Sequence, residues 1–244
     1  MMFGIDFARL DAISALDRIE ELAENDPPVF VVHANVHTVN LAYFDPSYRS
    51  VLGRADLVLN DGKGVMIGAL ILRKPFIQDL NGNFFSPLLL RRAAERGWGV
   101  FFYGAKPGVA ERAASDLRRR LPGLNIVGVR DGYTAAGHEE EVLQAVRDSG
   151  AQLLLVGLGN PRQEFWLERN LDKTGARIGV GVGAFFDFQA NELPRAPQWM
   201  NHYALEWLYR LALEPRRLWR RYVVGNPAFM WRVLQEWWAK KAGR

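Results

Sequence analysis

Short apolar runs alternate with amphipathic stretches along most of this chain, and that alternation predicts an architecture. Residues 28–34 (PVFVVHA), 55–59, 99–103, 125–129, 152–157 and 177–182 are strand-length runs rich in Val, Ile, Leu and Phe. Continuous apolar runs of this length suit strands buried on both faces. Between them, residues 10–23, 38–51, 88–96, 109–121, 139–149 and 162–173 carry the helical period. The order predicts crossover units: an α/β, Rossmann-like, mainly parallel sheet with helices on both faces. Ligands of such sheets bind beyond the carboxyl ends of the strands, so the loops that follow strands are where chemistry is sought.

The alternation stops near residue 199. Residues 199–213 place Ala204, Trp207, Leu208, Leu211 and Ala212 on one helical stripe. Pro215 suits the first turn of a second helix running to about Val224, and Asn226-Pro227 has the form of a cap and first residue of a third. Three helices without a strand predict an appendage, residues 199–244, on a catalytic body, residues 1–198.

Composition separates the same two parts. The appendage holds six of the eight tryptophans and nine of the 31 lysines and arginines against three acids, a net +6, which leaves −2 on the body. Two readings fit: a basic aromatic surface for an anionic bilayer, or core filler with a solvated exterior. With 244 residues, 49% hydrophobic and 24% charged, the chain reads as globular. No run approaches the roughly 20 apolar residues of a spanning helix. Met1 to Asp6 has no basic region followed by an apolar segment, so no secretion signal is expected. Zero cysteines exclude disulfides and thiolate zinc sites; no metal site is expected, and a cytoplasmic location is.

Several loops after strands carry candidate chemistry. Asn35-Val36-His37-Thr38-Val39-Asn40 follows the first strand; helix capping accounts for Asn35 or Thr38 but not for Asn40, one turn further in. Asn60-Asp61-Gly62-Lys63-Gly64 presents Asp61 at a strand end, as a turn residue or as a catalytic acid or base. Tyr103-Gly104-Ala105-Lys106-Pro107-Gly108 combines glycines, a helix start and a lysine, which suits a diphosphate, although no Walker pattern closes it. In Gly157-Leu158-Gly159-Asn160-Pro161-Arg162-Gln163-Glu164 a glycine turn opens a helix with Arg162 and Gln163 beside it, placed to grip a nucleotide or sugar. Gly179-Val180-Gly181-Val182-Gly183-Ala184 satisfies a dinucleotide pattern formally, but its glycines sit inside a strand, where close backbone approach is the usual reason. Asp187, among aromatics at an apparent strand end, is a buried hydrogen-bonding group or a substrate contact. Arg216, Arg217, Arg220 and Arg221 form two i, i+4 like-charge pairs, a repulsion that lipid headgroups or a diphosphate would offset. Nucleic acid is not expected as a partner, since the body is acidic and no nucleic-acid motif is present.

In this order, T-x-N, N-D-G-x-G-V, Y-G-x-K-P-G, G-x-G-x-P-x-Q-E-x-W, G-V-G-x-F-F-D-F, R-A-P-x-W-M and the arginine-rich L-E-W-L-Y-R segment resemble the WecG/TagA/CpsF family of bacterial glycosyltransferases over about residues 3–224. The resemblance implies a Rossmann-like body with a helical appendage. It also implies inverting, metal-independent transfer of a hexose (N-acetylmannosamine, its uronic acid or glucose) from a UDP-sugar to a polyprenyl-diphosphate-linked sugar at the inner membrane face. No cofactor is implied beyond the UDP-sugar donor, and a homo-oligomer is left open.

The resemblance assigns Asp61 as general base, Thr38 and Asn40 as a donor-pocket pair, and Gln163 near the sugar nucleotide. Arg210, Arg217 and Arg220 or Arg221 match the arginines that reach the diphosphate, with Arg217 the first choice. Lys74-Pro75-Phe76-Ile77-Gln78-Asp79-Leu80 departs from R-V-T-G-x-D-L, and Ala105 stands where a second glycine is frequent. Two other classes are carried beside this one. An NAD-dependent nucleotide-sugar oxidoreductase or epimerase would use the Gly179 segment, but no tyrosine has a lysine four residues on. A non-catalytic membrane-docking module would bind vesicles through the appendage and ignore UDP.

Overall fold

The computed structural model describes residues 2–25, 28–133, 139–194, 196–197, 200 and 205–242. Six strands form one sheet: β1 (Val29–Ala34), β2 (Leu57–Asn60), β3 (Gly99–Gly104), β4 (Asn125–Arg130), β5 (Leu153–Gly157) and β6 (Ile178–Gly181). Their order is β2-β1-β6-β5-β3-β4 and every pairing is parallel, from Val32↔Val58 between β1 and β2 to Tyr103↔Arg130 between β3 and β4. The fold is the Rossmann-like α/β sheet that the alternating pattern predicts.

The period-2 alternation of each strand feeds two cores. Val29 and Val31 of β1 with Leu153 and Leu155 of β5 face one layer, made by α1 (Ala12–Asn25), α5 (Gly82–Arg96), α6 (Val109–Arg120) and the short α9 (Phe185–Gln189). Phe30, Val32, Leu154 and Val156 face the other. There lie α2 (Val36–Phe44), α3 (Pro46–Gly53), α4 (Lys63–Ile71), α7 (Glu139–Ser149) and α8 (Arg162–Thr174). After β1 the chain turns to α2 on the second face, and after the neighbouring β6 it turns to α9 on the first. The β3–α6 and β5–α8 turns diverge in the same way. Divergence of adjacent connections opens a crevice at the carboxyl edge, the ligand-binding position of doubly wound sheets.

The structure differs from the sequence expectations at four helices. The single helix expected over 38–51 is two, because Asp45 closes α2, caps α3 through Ser47 and Tyr48 N–H, and puts Pro46 in the first turn. Helix α4 is absent from the sequence expectations: KGVMIGALI is apolar around its whole circumference and has no polar stripe to betray a period. Helix α5 starts six residues earlier than expected, capped by Asn81, with Pro87 inside it. Asp187 lies on α9, not at a strand end, since β6 already stops at Gly181.

The appendage also departs from expectation. The described part of its first helix is α10 (Glu206–Leu213); Trp199 and Ala204 fall outside the described residues. The short α11 (Pro215–Trp219) runs through a π-helical turn, Arg220–Val224, directly into α12 (Gly225–Ala242). Asn226-Pro227 therefore lies inside a continuous helix rather than capping a new one. Both flanking residues, Trp219 and Gly225, keep right-handed helical angles, and the extra residue of the π turn rotates α12 relative to α11.

Helix α12 packs on α2 and α4. Phe229 is 1% exposed and Val233 is wholly buried. A side-chain carbon at Gly68 of α4 would lie 2.7 Å from the Phe229 ring and 3.2 Å from Val233, so α12 seats only where α4 carries no side chain. Burying a phenylalanine this completely contributes roughly 1.5–3 kcal/mol.

Candidate active site

Asp61 follows β2 directly, its N–H donating to the Ala34 carbonyl at 3.0 Å. Its Oδ2 accepts from Asn35 Nδ2 at 3.0 Å, and Asn35 Oδ1 accepts from the N–H groups of His37 and Thr38. One asparagine thus caps α2 and aims the carboxylate. Behind it Asp79 Oδ1 accepts the Gly62 N–H at 2.9 Å. Burial, aided by the nearby Asp61 charge, pushes the Asp79 carboxyl above its ordinary value, while the Gly62 N–H and Lys63 oppose the rise. Asp79 therefore keeps its proton to higher pH than an exposed aspartate.

His33 is 4% exposed on the same side of β1 and lies close enough to Asp61 to feel its charge. Its Nδ1 lies 2.9 Å from the Leu80 carbonyl. A carbonyl only accepts, so Nδ1 carries the hydrogen and the buried Nε2 presents a lone pair without a protein partner. Burial lowers its pKa, which keeps the ring neutral. His33 and His37 are four residues apart, the spacing of a helical metal pair, but β1 ends between them and they share no helix face. Among the described residues no group of three metal-ligating side chains converges.

The glycine turns pack on one another. Gly104, at φ +133°, is the register partner of Gly157, and a side-chain carbon on it would lie 2.5 Å from the Gly157 backbone. Ala105 follows at φ +60°, a left-handed conformation that glycine adopts without cost. Gly159 turns at φ +76° into α8, and a side chain there would meet open space. Gln163 is 1% exposed: its Nε2 donates to Glu164 at 2.7 Å and its Oε1 accepts the Gly183 N–H at 2.9 Å. It ties the β5–α8 turn to the β6–α9 turn.

Glu164 is wholly buried and accepts from Asn160 (2.6 Å), Gln163 (2.7 Å) and Tyr48 (3.0 Å). Burial pushes its carboxyl up to about 7 despite those three donors. It likewise drives the Tyr48 hydroxyl upward, with the Glu164 charge adding to the effect. The dinucleotide pattern at Gly179 and Gly181 is filled: added side-chain carbons would meet Leu171 and Leu167 at 2.7 and 2.8 Å, and Gln163 at 2.9 Å.

The appendage brings arginines over this edge. Arg221 is half-buried and within electrostatic reach of Asp61, Arg210 and Arg217. Burial lowers its pKa, and the two other arginines add to the effect. It also faces His37, whose pKa falls to about 4 through burial and the Arg221 charge. Arg210 lies over the Phe188 ring at 5.3 Å. Arg217 is exposed and ion-paired with Glu214, and together with Lys106 it acts on Asp187, whose carboxyl burial pushes up. Arg220 turns outward over the exposed Trp219 ring at 5.4 Å.

The crevice therefore gathers Asp61, Lys106, Asp187, Arg210, Arg217 and Arg221. It does not gather the other residues singled out in the sequence. Thr38 is wholly buried, its hydroxyl within 3.3 Å of Asn35 in a reciprocal cap. Asn40 is turned to the appendage, and Gln163, Gly104 and Gly157 are internal braces of the turns. Arg221 lies within electrostatic reach of Asp61, and Arg217 within reach of Asp187. Asn35, His33 and Asp79 lie beside Asp61, although in the sequence a cap, a strand residue and a turn acid each have an ordinary local explanation.

A doubly wound parallel sheet with a carboxylate and converging arginines at its carboxyl edge defines an α/β enzyme fold whose crevice suits an anionic substrate. Residues 1–243 match the Glycosyl transferase WecG/TagA/CpsF family, and the chain belongs to it. It is a glycosyltransferase. It is similar to the N-acetylglucosaminyldiphosphoundecaprenol N-acetyl-beta-D-mannosaminyltransferase of Bacillus spizizenii, with 32% identity over 232 residues, 95% of this chain and 89% of that relative.

Proposed function

We propose that this glycosyltransferase moves an N-acetylmannosamine-type hexose from its UDP-sugar to a polyprenyl-diphosphate-linked sugar, with inversion, in cell-surface polysaccharide synthesis. The relative's name supports both the sugar and the lipid-linked acceptor. The observation that carries the reaction is that Arg221 of the appendage lies within electrostatic reach of Asp61 at the carboxyl edge of the sheet. Asp61 takes the proton of the acceptor hydroxyl as that oxygen attacks the anomeric carbon. The bond from that carbon to the UDP oxygen breaks, and the charge gained by the leaving diphosphate falls to Arg221, Arg210 and Arg217. Fixed cations aimed at developing charge can act without a metal. Lys106 and Asp187 border the donor end.

We further propose that the enzyme works as a peripheral protein on the inner face of the membrane. Phe44 and Leu70 of the body and Val223, Val224, Trp231 and Trp238 of the appendage are 51–73% exposed, and the appendage also carries exposed cations such as Arg220, Lys240 and Lys241. No helix among the described residues is long and apolar enough to cross a membrane.

The test is incubation with a panel of UDP-sugars and a short-chain prenyl-diphosphate-linked N-acetylglucosamine acceptor, with the glycosylated product and released UDP read together. UDP-N-acetylmannosamine is expected to give product. No transfer from any UDP-hexose would reject the reading, and UDP binding without turnover would leave a docking module.

A further inference from the structure

Asn40 sits on the second turn of α2 and faces the terminal helix. Its Nδ2 donates to the Gly225 carbonyl at 2.8 Å, and its Oδ1 accepts from Arg232 at 2.5 Å. The Arg232 guanidinium also lies over the Tyr43 ring at 4.1 Å and the Phe44 ring at 4.8 Å. Gly225 is the residue directly after the π turn that carries Arg221. A side-chain carbon on Gly225 would lie 3.1 Å from Asn40 Nδ2. Its backbone is ordinary right-handed helix, so proximity to Asn40, not conformational freedom, accounts for glycine there.

Helix α2 therefore holds both halves of the site. Its first turn aims Asp61 through Asn35 and faces Arg221 through His37. One turn on, Asn40 grips the end of the segment that bears Arg221. Packing of Phe229 and Val233 on α4 holds α12 against the body. A greasy contact tolerates sliding and rotation, whereas hydrogen bonds to one carbonyl and one guanidinium do not.

We infer that Asn40 and Arg232 form a latch that positions Arg221 over Asp61, so that Asn40 acts through the appendage rather than by touching the donor sugar. The inference rests on the role proposed for Arg221 above. Displacement of a catalytic group by about 1 Å can cost on the order of a hundredfold in rate. Loss of the latch is therefore expected to lower kcat about 10- to 100-fold.

The experiment is a mutant cycle on the full chain, with UDP-N-acetylmannosamine and the short-chain acceptor as substrates. Asn40→Ala, Arg232→Ala and Gly225→Val are each expected to lower kcat by similar factors. The Asn40→Ala, Arg232→Ala double variant is expected to be no worse than either single one. In an Arg221→Ala background, Asn40→Ala is expected to cost less than about twofold more. Hydrogen exchange should quicken at residues 220–233 in each latch variant and stay slow in the sheet strands, which also shows that the variants fold.

Full multiplication of the Asn40→Ala and Arg221→Ala losses would overturn the latch, as would an unchanged kcat in Arg232→Ala. So would a loss in Asn40→Ala confined to donor KM, which would make Asn40 a donor contact. Unchanged turnover in Arg221→Ala itself would instead reject the diphosphate role of that arginine, and the positioning role with it.

Discussion

Asn35 donates its Nδ2 hydrogen to Asp61 Oδ2 at 3.0 Å while its Oδ1 receives the N–H groups of His37 and Thr38. A helix cap and an aimed carboxylate are therefore one side chain, joining the end of β2 to the start of α2. Whatever moves α2 moves Asp61, and α2 is also the surface on which the terminal helix rests.

Removal of the proposed base should abolish transfer without emptying the donor site. Asp61→Ala is expected to lower kcat by about 10²–10⁴ and to leave UDP affinity by calorimetry nearly intact. Asn35→Ala should lose less in rate and in addition cost about 1 kcal/mol of stability from the lost cap. Retained turnover in Asp61→Ala would sink the base assignment.

The arginines should separate by depth. Arg221→Ala is expected to cost about 10²–10³ in kcat, the scale of a lost oxyanion donor, and Arg220→Ala less than about tenfold, since Arg220 faces outward over Trp219. Steady-state kinetics on a water-soluble acceptor decide this; an equal loss in both variants would contradict the depth order.

Glu164 makes stability depend on pH. Its carboxyl is held at about 7 against an ordinary 4.5. Between those values the unfolded chain has released a proton that the folded chain retains, so stability falls as pH rises through the window and levels off above it. Glu164→Gln should remove this fall, on the order of 3 kcal/mol in full. Urea unfolding at pH 5 and pH 8 checks it: the wild type should lose more between the two than the variant. His37, held near 4, adds a slope of opposite sign between about 4 and 6.5 in both proteins and cancels in the comparison. Parallel curves for the two proteins would count against the shifted carboxyl.

Membrane contact should be separable from chemistry. Replacing Trp231 and Trp238 together by serine is expected to weaken sedimentation with anionic vesicles by about tenfold or more and to leave kcat on a water-soluble acceptor within about twofold. Both rings are more than half exposed, so the double variant should fold. Undiminished vesicle binding would move the lipid contact elsewhere.

Phe229→Ala should cost about 3–5 kcal/mol in urea unfolding and lower turnover as well, because the ring that anchors α12 also holds the segment bearing Arg221. A stability loss with unchanged kcat would separate docking of α12 from the chemistry.

Local pattern carried the sheet. All six strands lie where the apolar runs put them, because the strands other than the half-exposed edge β4 are buried on both faces and so apolar along their length, and Asp61 was visible because it directly follows one. Helix α4 was not legible: it is apolar on all sides, with one side covered by α12, far away in sequence, and Ile67 and Leu70 left exposed. Gln163 and Thr38 stand out as residue types, but whether an amide faces solvent or braces two turns depends on Gly183 and Asn35, which sequence neighbours do not fix.

The arginines mark where reading of the chain stops. Helical spacing predicted like-charge repulsion in the pairs Arg216 with Arg220 and Arg217 with Arg221, which an anion would offset. It did not rank them, because the π turn shifts the register by a residue and turns Arg221 inward and Arg220 outward. The Asn40 contacts that hold this arrangement span 185 and 192 residues. Periodicity reports only which face of a segment is apolar; which segments meet was settled by the order β2-β1-β6-β5-β3-β4, which brings α2, α4 and α12 together at one edge.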